Sequence, residues 1–216
     1  MQARNALTIL VGVAVLTFVP ASTSHAKKSP QKFTISITGT DVDIPLDLDA
    51  DSCTTTGGVT VCTDFSAYFT SWGKGTGALG GANTGQAVEE FDPVSGTGCT
   101  FLGSSLPIAG CTLTGTSETG CEFKTVGSSA IVSRDSATGD LLFETESSTV
   151  CFDFSSGPPF NGTADAHGTI TGGTGKFSGA TGTFTTSVHG QTLVQDPAGH
   201  AFGWFEGSTT GTITRP

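Results

Sequence analysis

The sequence has few charged residues, and very few of them are basic. Only 13% of the 216 residues are charged, and 9 Lys and Arg stand against 19 Asp and Glu, which gives a formal net charge of -10. Long surface helices need charged side chains on their solvent face, so this composition disfavours a helical protein. We also expect no nucleic-acid partner, because binding to backbone phosphates requires clustered cations.

Long apolar runs are absent except near the N-terminus. Residues 6–19 form a near-continuous apolar run of 14 residues between Arg4 and Pro20. The segment Ser24-His25-Ala26 follows, and it has small residues at the two positions that a signal peptidase recognises. A membrane span needs roughly 20 residues, so this run is too short. The sequence therefore predicts a signal peptide at 1–26 and a single domain at 27–216 with a loop-rich part at 41–120. The mature protein would be secreted, extracellular or periplasmic, with no membrane span.

Zinc-binding cysteine spacings are missing as well, since no C-x-x-C pair occurs. We therefore expect no metal, and no other cofactor is indicated. The cysteines are even in number and follow the predicted signal peptide, which favours disulfide bonds. They are Cys53, Cys62, Cys99, Cys111, Cys121 and Cys151.

The turns between the cysteines suggest one set of pairs among the many that six cysteines permit. Gly57-Gly58 is a natural two-residue hairpin turn, with one cysteine at the same distance on either side. A second turn sequence at 136–140 separates another two cysteines. The predicted pairs are Cys53 with Cys62, Cys121 with Cys151, and Cys99 with Cys111.

No window has the sustained three-four spacing of a helix, whereas Thr, Val, Ile and Phe are frequent and glycine recurs every few residues. This pattern is typical of an all-β protein. Several predicted strands are about a dozen residues long, which favours a closed, tilted β-barrel over a two-layer sandwich or a solenoid. The predicted strands are 32–40, 61–73, 86–91, 122–134, 140–154, 163–171, 181–194 and 201–214.

The most distinctive segment is a glycine-rich turn between two of these strands. It reads Gly172-Gly173-Thr174-Gly175-Lys176-Phe177 and is followed by Ala180-Thr181-Gly182. Gly172, Gly173 and Gly175 supply backbone angles that other residues avoid, and Phe177 can turn inward to plug one end of a barrel. A phosphate-binding loop would need Gly in place of Ile170 and Ser or Thr in place of Phe177, so we interpret the segment as a structural turn.

This turn resembles that of the allene oxide cyclase barrel-like superfamily, which includes the plant dirigent proteins, and a weaker similarity extends over 128–214. The resemblance implies an eight-stranded antiparallel β-barrel with an apolar cavity, often in a homo-oligomer. Relatives guide cyclisation, isomerisation or coupling of small hydrophobic molecules, sometimes with one acid or Tyr as helper. The turn itself is a scaffold feature, so no catalytic residue can be carried over to this chain.

Residues that could line such a cavity follow from strand alternation. We predict Tyr68, Trp72, Trp204 and Glu206 as ligand-binding residues of the lumen. On residues 140–154, two acids, Glu144 and Glu146, share a face with Leu142, Val150 and Phe152. A carboxyl group among apolar neighbours would have a raised pKa and could act as an acid, although outward-facing acids would also fit the pattern.

Two further groups of polar residues have both a functional and a structural interpretation. Asp165 and His167 lie two apart on one strand face, which suits a metal site, a proton relay or a solvated outer surface. The run Asp41, Asp43, Asp47, Asp49 and Asp51 suits a calcium loop or an exposed acidic segment. An EF-hand would need other residues than Ser52 and Gly58. No G-x-S-x-G is present, so a serine hydrolase is not expected.

The sequence thus predicts a secreted β-barrel that binds a small hydrophobic molecule in its lumen. One alternative is a cyclase or isomerase, and the second is a structural or interaction protein whose lumen is filled by Phe side chains. A cavity on the order of 300 Å³ or more, with an acid inside, would favour the enzyme.

Overall fold

The computed structural model describes residues 28–45, 53–56, 59–62, 65–101, 103–196 and 198–216. Over these residues the chain is almost entirely β-strand, and its one helical element is a 3₁₀ turn at Gly175–Phe177. The all-β prediction is therefore confirmed. The predicted signal peptide at 1–26 lies outside the described residues. No helix in the described ranges is long and apolar enough to cross a membrane.

The strands run the length of the described chain. They are β1 (Gln31–Pro45), β2 (Cys53–Thr56), β3 (Val59–Cys62), β4 (Phe65–Gly77), β5 (Gly81–Pro93), β6 (Ser95–Phe101), β7 (Ser104–Ile108), β8 (Gly110–Thr112), β9 (Thr119–Thr125), β10 (Ser129–Asp135), β11 (Leu141–Asp153), β12 (Phe160–Gly173), β13 (Thr181–Gln195) and β14 (Ala201–Thr214). The last strand has the bounds that the sequence predicts. The part at 41–120, where loops were expected, contains seven strands, β2 to β8.

The long strands close into a ring of eight. The antiparallel order is β10, β11, β12, β13, β14, β1, β4 and β5, and β5 pairs in turn with β10. Short β8 and β9 extend the same sheet, while β2–β3 and β6–β7 form separate hairpins. Because every long strand has a partner on both sides, the ring leaves no long unpaired edge.

One predicted strand, 122–134, is broken into two. β9 and β10 are separated at 126–128, where Gly127 has a φ of +71°. Both pieces lie between β5 and β11. At the break, side chains replace part of the backbone ladder: the Ser147 hydroxyl donates to the Gly127 carbonyl over 2.8 Å. The Thr125 hydroxyl donates to the Ser148 carbonyl over 3.1 Å.

The glycine-rich turn closes one end of the ring. Gly175 has a φ of +50°, and a Cβ added there would lie 1.9 Å from the Asp140 carboxylate. Phe177 follows with only 2% of its surface exposed and packs into a hydrophobic core. Its buried neighbours form the core of this end: Phe33, Leu79, Leu142, Ile170, Ala180, Phe184 and Ile213.

A buried carboxylate at this end has its own counter-ion. Asp135 is 4% exposed and forms an ion pair with Lys176 of the turn. The backbone N–H groups of Ala137 and Thr138 also donate to Asp135, each over 2.9 Å. The hydrogen bond from Lys176 is the main reason that the pKa of Asp135 falls to about 2.

The other end has a second core, rich in phenylalanine. Its buried members include Phe91 and Phe123, and the β6–β7 hairpin contributes Cys99 and Ile108 to it. Phe65 stacks on Phe91 with ring centroids 5.0 Å apart. Aromatic packing of this kind stabilises beyond the area that it buries.

Two disulfide bonds hold this end, and both differ from the predicted pairs. Cys99 bonds to Cys121, and Cys111 bonds to Cys151. On β9 and β11, Cys121 lies opposite Phe152, so Cys121 and Cys151 are on opposite faces of the sheet and cannot bond. Cys111 lies opposite Gly120, two residues from the partner of Cys151, and therefore shares the face of Cys151.

The third predicted pair is consistent with the backbone. Strands β2 and β3 form a hairpin whose register places Cys53 opposite Cys62. The bond itself lies outside the described residues, so the pair stays a prediction.

Candidate functional site

A cavity of about 190 Å³ lies inside the ring, between the two cores. All eight ring strands contribute residues to it. Much of the wall is apolar, from side chains that alternate inward along their strands, including Ile37, Phe65, Phe69, Phe91, Phe152 and Phe205. The cavity is smaller than the sequence argument required for an enzyme. It nevertheless exceeds a cavity of about 150 Å³ that can hold benzene.

Five carboxyl groups also line the cavity. They come from three strands: Asp41 and Asp43 from β1, Glu89 from β5, and Glu144 and Glu146 from β11. The described lining residues include no Lys or Arg. The cavity therefore combines an apolar wall with acids that have no Lys or Arg partner among the described lining residues.

Serine and threonine hydroxyls orient two of these acids. The Ser148 hydroxyl donates to Glu89 Oε2 over 2.7 Å and is itself 2.8 Å from the Thr125 hydroxyl. The Ser133 hydroxyl donates to Glu144 Oε2 over 2.8 Å. Thr125 is the last residue of β9, beside the strand break near Gly127, and Ser148 and Glu89 line the cavity.

Burial makes the acids on β11 hard to ionise. Burial raises the pKa of Glu144 to about 7, although the hydrogen bond from Ser133 opposes the shift. The pKa of Glu146 is raised by burial and then by its hydrogen bond to Glu89 and the nearby negative charges. A buried carboxyl group beside other negative charges ionises less readily than one in water. This wall therefore presents carboxylic acids near neutral pH.

The acids on β1 behave in the same way. Burial raises the pKa of Asp41 to about 6. Burial and then the charge of Asp41 raise the pKa of Asp43 to about 8. The predicted calcium run thus begins with two residues that line the cavity, while Asp47, Asp49 and Asp51 lie outside the described residues. Within the described ranges, no group of three His, Cys, Asp or Glu is placed to hold a metal ion.

Three of the four predicted lumen residues, Tyr68, Trp72 and Glu206, lie mainly on the outer surface, which corrects that prediction. Tyr68 and Trp72 are 47% and 50% exposed and alternate on β4 with inward-facing residues. Glu206 is 52% exposed, and its Oε1 lies 3.3 Å from His189 Nε2 on the outside. Trp204 borders the cavity but is partly exposed, with its ring 6.3 Å from that of His189.

On β14, glycine residues indicate the inner face of the strand more reliably than its tryptophan does. On β14 the inward residues are Gly203, Phe205 and Gly207, and a Cβ on Gly203 would lie 2.7 Å from Asp41. The predicted face of this strand is therefore wrong for Glu206, whereas Trp204 does border the cavity. Glu89 was missed entirely, although it alternates with Ala87 and Phe91 as a lining residue should.

The polar pair predicted on β12 does not line the cavity. Asp165 and His167 are exposed on β12, and Asp165 accepts a hydrogen bond of 3.3 Å from the Thr114 hydroxyl. Their solvated interpretation fits the structure better than a metal site or a relay. Glu144 and Glu146, by contrast, do share an inward face with Leu142, Val150 and Phe152, as their alternation indicated.

Comparison of the chain with protein-family models, with characterised proteins and with solved structures finds no match.

Proposed function

We propose that this protein binds a small, largely apolar molecule in the cavity inside the ring. The main supporting observation is the 190 Å³ cavity between the two core clusters, walled by Ile37, Phe69, Phe205 and other apolar side chains. Ligand sites in proteins are commonly concave and apolar with a few polar anchors, and this cavity has that character. Its volume suits a single ring with a short substituent.

A cavity-filling variant tests this proposal. Ala87 lines the cavity, and Ala130 is exposed on the neighbouring strand β10. We expect toluene to shift the NMR signals of cavity residues in the wild type and in Ala130→Leu, whereas Ala87→Leu binds toluene at least about tenfold more weakly because the added side chain occupies the space. Absence of binding by toluene and also by its polar analogues benzyl alcohol and benzylamine would contradict the proposal.

The buried acids favour a second candidate, a cyclase or isomerase that works by general acid catalysis. A carboxyl group whose pKa lies near 7, as burial gives Glu144, can donate a proton at neutral pH. Native mass spectrometry of the protein purified from its source would identify a bound molecule. The enzyme interpretation requires that wild-type protein converts that molecule and that Glu144→Gln binds it without conversion.

We also propose that the ring is a barrel of the allene oxide cyclase-like type and that the protein is secreted. The closed order of eight antiparallel strands and the glycine-rich turn at one end support the first proposal. The two disulfide bonds are consistent with an oxidising compartment, which supports the second. N-terminal sequencing of exported protein should begin at Lys27; retention of residues 1–26 would contradict cleavage.

The homo-oligomer implied by the resemblance stays a prediction. Four exposed apolar side chains, Phe202, Val42, Tyr68 and Val88, lie opposite one another across strands β14, β1, β4 and β5. Continuous exposed apolar rows of this kind often mark interfaces. Sedimentation velocity at two concentrations would show an oligomer that Tyr68→Ser weakens, or a monomer that contradicts the prediction.

A further inference from the structure

The charges around the cavity are one-sided. Five acids line it, and its described lining residues include no Lys or Arg. The protein does use a cation where it holds a carboxylate at the turn end, since Lys176 pairs with Asp135. Buried carboxylates normally need such a partner. An ionised acid in the cavity therefore lacks a counter-charge that the protein itself supplies.

The acids also have free acceptor atoms. Glu144 is 9% exposed, and Ser133 donates to its Oε2, while its Oε1 has no hydrogen-bond partner among the described residues. In the described part of the chain, no fully buried side-chain oxygen or nitrogen lacks a partner. The free oxygen must therefore be accessible, and Glu144 lines the cavity. Once these carboxyl groups are ionised they only accept, and a ligand with several N–H donors would then complete this wall.

The apolar wall limits the rest of the ligand. Phe69 and Phe91 line the same cavity, with ring centroids 6.5 Å apart. Aromatic faces attract an ammonium group as well as packing against a hydrocarbon body. An anionic ligand would meet five acids, and no described group of three acidic, His or Cys residues is placed for a metal ion.

We propose that the cavity selects a small organic amine, whose ammonium group binds the carboxyl groups of Glu144, Glu146 and Glu89 while its apolar body packs against the phenylalanine wall. This proposal rests on the small-molecule site proposed above and specifies its ligand. The volume of about 190 Å³ limits the amine to about one ring with a short side chain.

Binding would release a proton. Burial keeps Glu146 largely protonated and Glu144 partly protonated near neutral pH, so an incoming R–NH₃⁺ forms an ion pair with a carboxylate whose proton leaves to solvent. The other titratable lining residues are Asp41 and Asp43 on β1, Glu89 on β5 and the largely exposed His189 on β13. Strands β4, β10, β12 and β14 add none to the lining. Amine affinity should therefore rise as the pH increases from 6 to 8.

Three probes of similar size distinguish the outcomes. Benzylamine, benzyl alcohol and toluene are titrated into the full-length protein with its disulfide bonds formed, at pH 6 and pH 8. We expect benzylamine to bind about tenfold more tightly than benzyl alcohol at pH 8, because a charge-assisted hydrogen bond is about twice as strong as a neutral one. Glu144→Gln and Glu146→Gln should abolish this preference, and the outer-face control Glu206→Gln should keep it.

The failures of the two proposals are separable. Equal binding of benzylamine and benzyl alcohol at pH 8 would overturn the amine proposal and leave the small-molecule site intact. Binding of none of the three probes would overturn both. Should the Gln variants fail to fold, calorimetry of the wild type in two buffers of different ionisation enthalpy decides the question. Proton release near pH 7 with benzylamine and not with benzyl alcohol supports the amine, and its absence overturns it.

Discussion

The turn end of the ring and its hollow middle treat buried acids in opposite ways. At the turn end, Asp135 pairs with Lys176, and its pKa is lowered to about 2. In the cavity, Glu144 accepts one hydrogen bond, from the hydroxyl of a serine, and burial raises its pKa to about 7. Both carboxyl groups are more than nine-tenths buried. Hydrogen bonds from Lys176 and from backbone N–H groups therefore lower the pKa of Asp135, whereas burial is the main influence on Glu144 and raises its pKa.

This difference separates a structural acid from a functional one. Asp135 also accepts backbone N–H bonds from the loop before β11, so its negative charge is used within the fold. Glu144 retains an accessible oxygen toward an unfilled space. Buried groups with a strongly shifted pKa in a cavity are candidates for functional sites, whereas ion pairs in a packed end are most simply explained by stability.

The largest expected effect is on the free energy of unfolding, and it comes from the different packing at the turn end and at the cavity wall. Phe177→Ala should lower the free energy of unfolding by about 4 kcal/mol, because Phe177 is fully buried in a solid core. Phe69→Ala, at the cavity wall, should cost about 2 kcal/mol because one side of its ring already lacks packed neighbours. Denaturant unfolding measures both, and the exposed Phe143→Ala is the baseline. Equal losses for Phe177 and Phe69 would contradict the distinction.

The pH dependence of stability should follow Glu144. The pKa of Glu144 in the folded state is about 7, above the ordinary value of 4.5. Between these two pH values the folded state therefore binds more protons than the unfolded state. The contribution of Glu144 is complete below about pH 4.5 and is lost as the pH rises through 7. Over that range the wild type should lose about 3 kcal/mol that Glu144→Gln does not lose. Urea unfolding between pH 5 and 8 measures the free energy of unfolding of both proteins. If it changes with pH equally in the wild type and in Glu144→Gln, the result would contradict a buried, protonated Glu144.

Removal of the turn-end cation should have the opposite pH signature. Lys176→Met should cost about 2 kcal/mol at pH 7, since it leaves the Asp135 carboxylate without its charged donor. The folded pKa of Asp135 is depressed, so this stabilisation is present above about pH 3.8 and disappears as the pH falls through 2. Thermal unfolding at pH 7 and pH 2 measures the difference. The exposed Lys74→Met is the control, and a loss that persists at pH 2 would exclude the ion pair as its cause.

Local chemistry in the sequence predicted the turn end well. The glycines and Phe177 act within a few residues of one another, so their roles can be read from spacing. Strand 201–214 was predicted to the residue for a similar reason, since it lies between a turn sequence and the C-terminus. In contrast, the break at Gly127 was missed because an isolated glycine inside a β pattern does not say whether the strand ends there.

Long-range geometry accounts for the errors in the site. The pairing of Cys121 depends on which face of β9 it occupies, and that is fixed by the register with β11 and β8. The orientation of Trp204 and Glu206 depends on which face of β14 turns inward, and alternation alone supplies two equal choices. Glycines on the inner face of the strand, such as Gly203, could have decided between the two faces, because a Cβ atom at these positions would meet atoms of the neighbouring strands.

An outer-face acid should behave unlike either buried one. Glu206 lies across exposed surface from His189, with Oε1 and Nε2 3.3 Å apart and both side chains more than half exposed. Water screens such a pair, so Glu206→Gln should change the free energy of unfolding by less than about 0.5 kcal/mol at pH 7. It should also leave the slope of stability between pH 5 and 8 as steep as in the wild type. A flattened slope in Glu206→Gln, measured by urea unfolding, would mean that this acid is coupled to the cavity; an unchanged slope assigns the pH dependence to the inner face.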